Sequence, residues 1–106
     1  MNRPIGFLQV DVDGLWAVRA CYGKPERDSY EDDPCWHEGV PRLDQVFQKT
    51  GTPASFFIVG RDLEHGGKRA IAKTLLRGGY ELGNHSYSHR LGLTREPLGF
   101  IYEELK

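Results

Sequence analysis

Apolar residues along this chain fall into short dense runs separated by longer stretches of helical period. Ile5-Gly-Phe-Leu-Gln-Val10 is rich in strand formers and breaks at the acidic turn Asp11-Val-Asp13-Gly14. Residues 14–38 carry Gly14, Gly23, Pro25 and Pro34 and an acidic cluster of Asp28, Glu31, Asp32 and Asp33, and this is expected to be a solvated loop surface. Within it, Leu15 to Cys21 suits a short helical turn. So long a connection between elements points to a functional loop. A helix is predicted over residues 40–49, with Val40, Leu43, Val46 and Phe47 on one face, Pro41 in the first turn and Gly51 as the stop. Pro53–Val59 reads as a second strand, and its Phe56–Val59 run is apolar enough to be covered on both faces. Gly66–Gly78 reads as a second helix, with Ile71, Leu75 and Leu76 inward and Lys68, Arg69, Lys73 and Arg77 outward. Tyr80–Gly83 is a third strand, and residues 96–106 begin a further helix.

Strand and helix in strict alternation predict an α/β fold of right-handed βαβ units with parallel strands and covering helices. Three strands leave both sheet edges open, so the expectation is the N-terminal portion of a larger fold over residues 1–106; the alternative is a small domain completed by a partner chain. Open edges also offer a route to self-association. The composition, 39% apolar and 27% charged, is that of a globular chain. With 14 basic and 15 acidic residues the formal charge is −1, which leaves no basic excess to neutralise a phosphate backbone and argues against nucleic acid as a partner. No apolar run reaches the roughly 20 residues of a membrane span, so no membrane partner is expected. No secretory signal is recognisable after Met1, so the expected location is cytoplasmic. Cys21 and Cys35 form neither a C-x-x-C pair nor a disulfide framework, and are read as reduced or paired loop thiols.

Candidate chemistry collects where parallel folds place it, at the carboxyl ends of strands. Asp11 and Asp13 close the first strand; His85 and His89 follow the third. One carboxylate and two imidazoles from a common face make a three-ligand set with open positions, suited to zinc or another divalent transition metal that keeps a water. The four-residue step between the histidines would bring both rings to one side if they shared a helical turn. Either signal alone is weak, since acidic turns and H-x-x-x-H pairs are common; their joint placement is what carries weight.

These residues also resemble a known family. Val10-Asp-Val-Asp-Gly14, Pro53-Ala-Ser-Phe-Phe-Ile-Val-Gly60 and Tyr80-Glu-Leu-Gly-Asn-His-Ser-Tyr-Ser-His89 are similar, in order and spacing, to motifs in the N-terminal half of the polysaccharide deacetylase family, also called the NodB homology domain or carbohydrate esterase family 4. The resemblance implies a partial (β/α) barrel and metal-dependent removal of acetyl groups from a polysaccharide or a smaller amide. It implies Zn2+ or a similar ion on Asp13, His85 and His89, with Asp11 as general base. Ser86 would brace the histidine loop by hydrogen bonding.

Two departures qualify the resemblance. Many members have adjacent acids where Val12 separates them here; strand alternation still puts Asp11 and Asp13 on one side. This variant resembles the branch containing some peptidoglycan deacetylases and amidases, which leaves the substrate class open. The family's later motifs, including the leucine-x-histidine that supplies the general acid, are not found in these residues, and a general acid is worth about 10²–10⁴-fold in rate. A non-catalytic metal- or carbohydrate-binding module is therefore one alternative. A haloacid-dehalogenase-type phosphatase is another, since Asp11 and Asp13 resemble its opening motif, but Leu15 stands where that motif has Thr. A D-x-D metal site of a sugar-nucleotide transferase is a third; neither it nor the phosphatase uses the histidines. Trp16 and Trp36, with Tyr22 and Tyr30, lie in the first long loop, where they would either stack on a sugar ring or pack the loop against its own domain. His37 and His65 read as surface or packing residues.

Overall fold

The computed structural model describes residues 3–24 and 29–106. Three strands, β1 (Gln9–Val12), β2 (Ser55–Ile58) and β3 (Glu81–Asn84), form a parallel sheet in the order β1-β2-β3. The helices are α1 (Leu15–Cys21), α2 (Val40–Thr50), α3 (Gly66–Arg77) and α4 (Leu98–Leu105). A π-helical turn at Cys35–Gly39 leads into α2, and 3₁₀ turns occupy Gly60–Glu64 and Leu93–Arg95. The α/β alternation read from the sequence is therefore present, as an open sheet among the described residues rather than a closed barrel. Among the described residues, β1 and β3 each pair with β2 alone.

The register Val10↔Phe56↔Leu82 and Val12↔Ile58↔Asn84 fixes which side chains share a face. That face meets α2 and α3 in a core of Val12, Phe56 and Ile58 with Trp36, Val40, Phe47, Ala72, Leu75 and Tyr80. Consecutive strand order with right-handed crossovers puts both covering helices on this one side. The opposite face, with Gln9, Asp11, Phe57 and Gly83, is exposed or half-buried, so the expectation that β2 is covered on both sides does not hold. Gly83 is dictated by this face. A Cβ there would meet the Phe57 ring at 2.5 Å, so only glycine lets the ring lie across β3.

The first strand starts later than the apolar run. Phe7 is 88% exposed, and pairing begins at the contact of Ser55 N–H with Leu8 O. Pro53 has no N–H to extend the ladder further back, and β1 instead runs forward through Asp11 and Val12. On α2, Val46 sits on the flank of the stripe centred on Val40 and Phe47 and is exposed. Leu76 is likewise exposed on the flank of α3.

Lys68 is the larger correction. Spacings of four and seven residues align Lys68 with Ala72 and Leu75, so it lies on the buried stripe of α3 rather than outward. It is 0% exposed, and its Nζ is 2.7 Å from Asp62 Oδ1 and 3.5 Å from Asp33 Oδ2, both carboxylates also being 0% exposed. Asp33 thus leaves the solvated acidic cluster to which the sequence assigned it. Glu31 and Asp32 remain exposed, and Asp28 lies outside the described residues. Asp33 accepts the Leu15 and Cys35 N–H groups, while Asp62 accepts Trp16 Nε1–H at 2.9 Å and the Ser29 hydroxyl at 2.7 Å. One lysine therefore ties the first loop, α1, the turn after β2 and α3 together. A buried charge left without its partner costs about 3–5 kcal/mol. Lys68→Met is expected to lose that much in urea-unfolding free energy, and a loss below about 1 kcal/mol would contradict the role assigned to the network.

Candidate metal centre

The register carries β1 and β3 to a common level, Val12 opposite Ile58 opposite Asn84, so Asp13 and His85 each stand one residue beyond a strand end. They belong to the two outer strands, roughly 10 Å apart with β2 between them. Their side chains converge over the end of β2, where Val59 is fully buried. Asp13 Oδ1 lies 3.2 Å from His85 Nε2 and 3.3 Å from His89 Nε2. All three ligand-type atoms fall within 4.8 Å of one another, and among the described residues this is the cluster of that kind.

His89 reaches the cluster by a route the sequence did not reveal. Residues 85–90 form an irregular loop, not the helical turn expected from the four-residue step. Ser86 and His89 adopt left-handed backbone at φ 63° and 53°, which turns the chain so that the second ring faces the first; the ring centroids are 5.2 Å apart. Left-handed non-glycine residues cost energy and persist where neighbours over-determine them. Ser86 N–H donates to Asn84 Oδ1 at 2.8 Å, Gly60 N–H to Ser86 O at 2.9 Å, and Arg61 N–H to Tyr87 O at 2.8 Å. His89 N–H donates to Ser86 Oγ at 3.2 Å, the bracing role the resemblance gives this serine.

The donor set fits a divalent ion. Asp13 Oδ1 is buried and makes no hydrogen bond, although two imidazoles stand opposite it. Trp36 Nε1 and Asp62 Oδ2 are also buried and unpaired among the described residues, but they belong to no such cluster. Ligands held at about 2.0–2.2 Å around a tetrahedral or octahedral ion stand about 3.0–3.5 Å from one another. The two carboxylate–imidazole separations lie in that range. Both rings also line a cavity of about 420 Å³ with Arg90, Leu91 and Leu93, so the cluster is reachable from outside.

Asp11 is on the face of the sheet away from α2 and α3, in register with Phe57 and Gly83, and exposed. Its carboxylate is not among the three clustered atoms. Trp16 and Trp36 do not lie open to a sugar. They are 4% and 0% exposed, so the packing alternative holds for both. Trp16 is spent on Asp62 and on the Arg61 guanidinium, 5.4 Å from its ring, and Arg61 lies 5.7 Å from the Tyr87 ring on the histidine loop. Tyr22 is exposed and Tyr30 half-buried. Tyr87 donates to Glu64, and this hydrogen bond, ahead of burial, raises the phenol above its ordinary pKa. Cys21, at the end of α1, and Cys35 are both free thiols. Burial first, then the Asp33 charge, raises Cys35, which makes it a poor thiolate ligand. His37 and His65 contact backbone carbonyls, Glu31 O at 2.7 Å and Ser29 O at 3.0 Å, and among the described residues neither belongs to a group of three metal-ligating side chains.

Sequence reasoning missed Asp33, Asp62, Lys68, Arg61 and Glu104. Each makes a contact distant in the chain. A periodicity check on α3 would have flagged Lys68; the others leave no local signal.

A sequence model described as polysaccharide deacetylase matches residues 29–105, which includes both histidines but not Asp11 or Asp13. A peptidoglycan deacetylase of Helicobacter pylori (strain ATCC 700392 / 26695) is 32% identical over 84 residues, spanning 76% of this chain and 27% of that protein. The chain thus covers about a quarter of the relative's length. No helix among the described residues is long and apolar enough to cross a membrane. With the match extending over most of its residues, the chain belongs to the polysaccharide deacetylase family.

Proposed function

We propose that this chain carries the metal-binding half of a deacetylase site, with Asp13, His85 and His89 as ligands, zinc as the ion and Asp11 as the general base. The observation that carries the reading is the buried Asp13 Oδ1, without a hydrogen bond among the described residues, opposed by two imidazole nitrogens at 3.2 and 3.3 Å. Family membership supports an acyl substrate over the phosphate ester of the dehalogenase-type alternative, which assigns the histidines no task. The substrate class we favour is an N-acetylated glycan, in keeping with a relative named as a peptidoglycan deacetylase.

A divalent ion held by the three ligands supplies Lewis acidity to an amide carbonyl and lowers the pKa of a water. The protein's own task is then proton management and orientation. Asp11, two residues before Asp13 on the same strand, offers an exposed carboxylate to take a proton from the attacking water. A bond forms from the water oxygen to the acyl carbon, the carbon–nitrogen bond breaks, and acetate and a free amine result. The amine needs a proton as it leaves, and the proton taken up by Asp11 balances it, delivered directly or through solvent. His37 and His65, the remaining imidazoles, belong to another cluster around Glu31.

Zinc titration followed by thermal melting tests the ligand set. A ligand at 100 times its Kd adds about 2.7 kcal/mol of stability, so the parent chain is expected to melt higher with zinc, and Asp13→Ala and His85→Ala are expected not to respond. No shift in the parent would overturn the ligand assignment. For the base, Asp11→Asn is expected to keep the zinc-induced shift. In the intact protein it should cut acetate release from N-acetylated oligosaccharides about 10²–10⁴-fold. Full activity in that variant would remove Asp11 from the mechanism.

A further inference from the structure

The histidine loop is gripped from outside by the end of one helix. α4 ends at Leu105, and its last turn delivers several polar contacts to residues 84–88. Ser88 N–H and the Ser88 hydroxyl both donate to Glu104 Oε1, at 3.0 and 2.6 Å. Tyr87 N–H donates to Glu104 O at 2.9 Å, and Asn84 Nδ2–H donates to Leu105 O at 2.8 Å. Glu104 is buried, an unusual position for a carboxyl side chain unless its oxygens are matched to donors. The donors it meets belong to the short segment that separates His85 from His89.

We propose that Glu104 is a positioning residue that sets the spacing and orientation of the two imidazoles, acting through Ser88 and the Tyr87 backbone. The proposal rests on the metal reading of Asp13, His85 and His89, and extends it to α4. The physical case is that the loop contains two left-handed non-glycine residues, Ser86 and His89, one on each side of the gripped pair. A backbone of this kind relaxes when its restraints are removed. Contacts from the turn after β2 hold Ser86 O and Tyr87 O on one side. Glu104 holds Tyr87 N–H and Ser88 on the other, so the loop is clamped between two elements that are distant in the chain. Without the second jaw, His89 has its bond to Ser86 Oγ to define its place, and the match of ligand separations to an ion is lost.

The test separates positioning from bulk stability. In the 106-residue chain, zinc affinity would be measured by calorimetric titration for the parent, Glu104→Ala, Glu104→Gln and Ser88→Ala, with metal-free melting recorded for each. Groups that orient metal ligands are typically worth 10–100-fold in affinity, so Glu104→Ala is expected to weaken zinc by about 10-fold or more. Glu104→Gln keeps an oxygen acceptor for both Ser88 donors and is expected to restore most of the affinity. Ser88→Ala, which removes the hydroxyl and keeps the N–H, gives a smaller loss in the same direction and serves if Glu104→Ala does not fold. Leu43→Ala on α2 provides a destabilised control whose zinc affinity is expected to match the parent. Hydrogen exchange of the Ser88 amide in metal-free protein is an independent readout, and it is expected to accelerate in Glu104→Ala more than in Leu43→Ala. A parent that binds zinc alongside a folded Glu104→Ala that binds within about twofold would overturn the positioning role alone. Unchanged Ser88 exchange would also overturn it. Failure of the parent to bind zinc would instead strike the metal reading on which this inference stands.

Discussion

Two outer strands of a three-stranded sheet must deliver side chains to one point above the strand between them, and the site depends on that convergence. Asp13 and His85 can reach each other only because β1, β2 and β3 end at one level, Val12 beside Ile58 beside Asn84. A shift of one residue in either pairing would turn the corresponding strand's side chains over and carry Asp13 or His85 away from the cluster. Register is in turn fixed by the buried face, where Val12, Phe56 and Ile58 meet the helices, and by Gly83, which accepts the Phe57 ring. Core packing and the Asp13–His85 geometry are therefore one constraint at the ends of the same strands.

The convergence needs a rigid start to α1 as well. Gly14 separates Asp13 from Leu15, and a Cβ on it would meet Asp33 Oδ2 at 2.7 Å and Trp16 Nε1 at 2.6 Å. Asp33 accepts the Leu15 N–H at this point, and Lys68 Nζ lies 3.5 Å from its Oδ2. Burying one lysine between two carboxylates is a poor way to gain stability, because desolvation offsets most of the attraction. What it does supply is hydrogen-bond partners for groups from several elements, since the two carboxylates also accept the Leu15, Cys35, Trp16 and Ser29 donors. The network reaches the backbone at Leu15, on the far side of Gly14 from Asp13.

What the sequence made legible follows from the range of the forces involved. Strand and helix order, the helical span of α3 and the pairing of an acidic turn with two histidines rest on short patterns, and the structure has them at or near the expected positions. The first strand was misplaced because an apolar run says where a strand can form, while its partner's ladder and Pro53 decide where it does. Lys68 read as surface because charge was weighed ahead of its alignment with Ala72 and Leu75. The tryptophans were open between two readings, and their burial resolves them toward packing, with the Trp16 indole N–H bonded to Asp62. The left-handed loop left little trace in the sequence because, besides its local bonds to Asn84 and Ser86, it is contacted by Gly60, Arg61 and Glu104, which are distant in the chain.

The valine between the two acids takes its meaning from the same geometry. Val12 is in the core at the level of Ile58 and Asn84, so a D-V-D sequence places an apolar anchor on one face of β1 while both carboxylates flank it from the other. Adjacent acids would send one carboxylate toward that core at a position now filled by a packed methyl pair, with the attendant desolvation cost. The spacer instead seats the strand by its valine. Asp13 then stands beyond the strand end, where its Oδ1 is shielded from water, and Asp11 remains on the open face. Two aspartates two residues apart thereby acquire different surroundings, one with an oxygen buried opposite two imidazoles and the other exposed on the open face of the sheet.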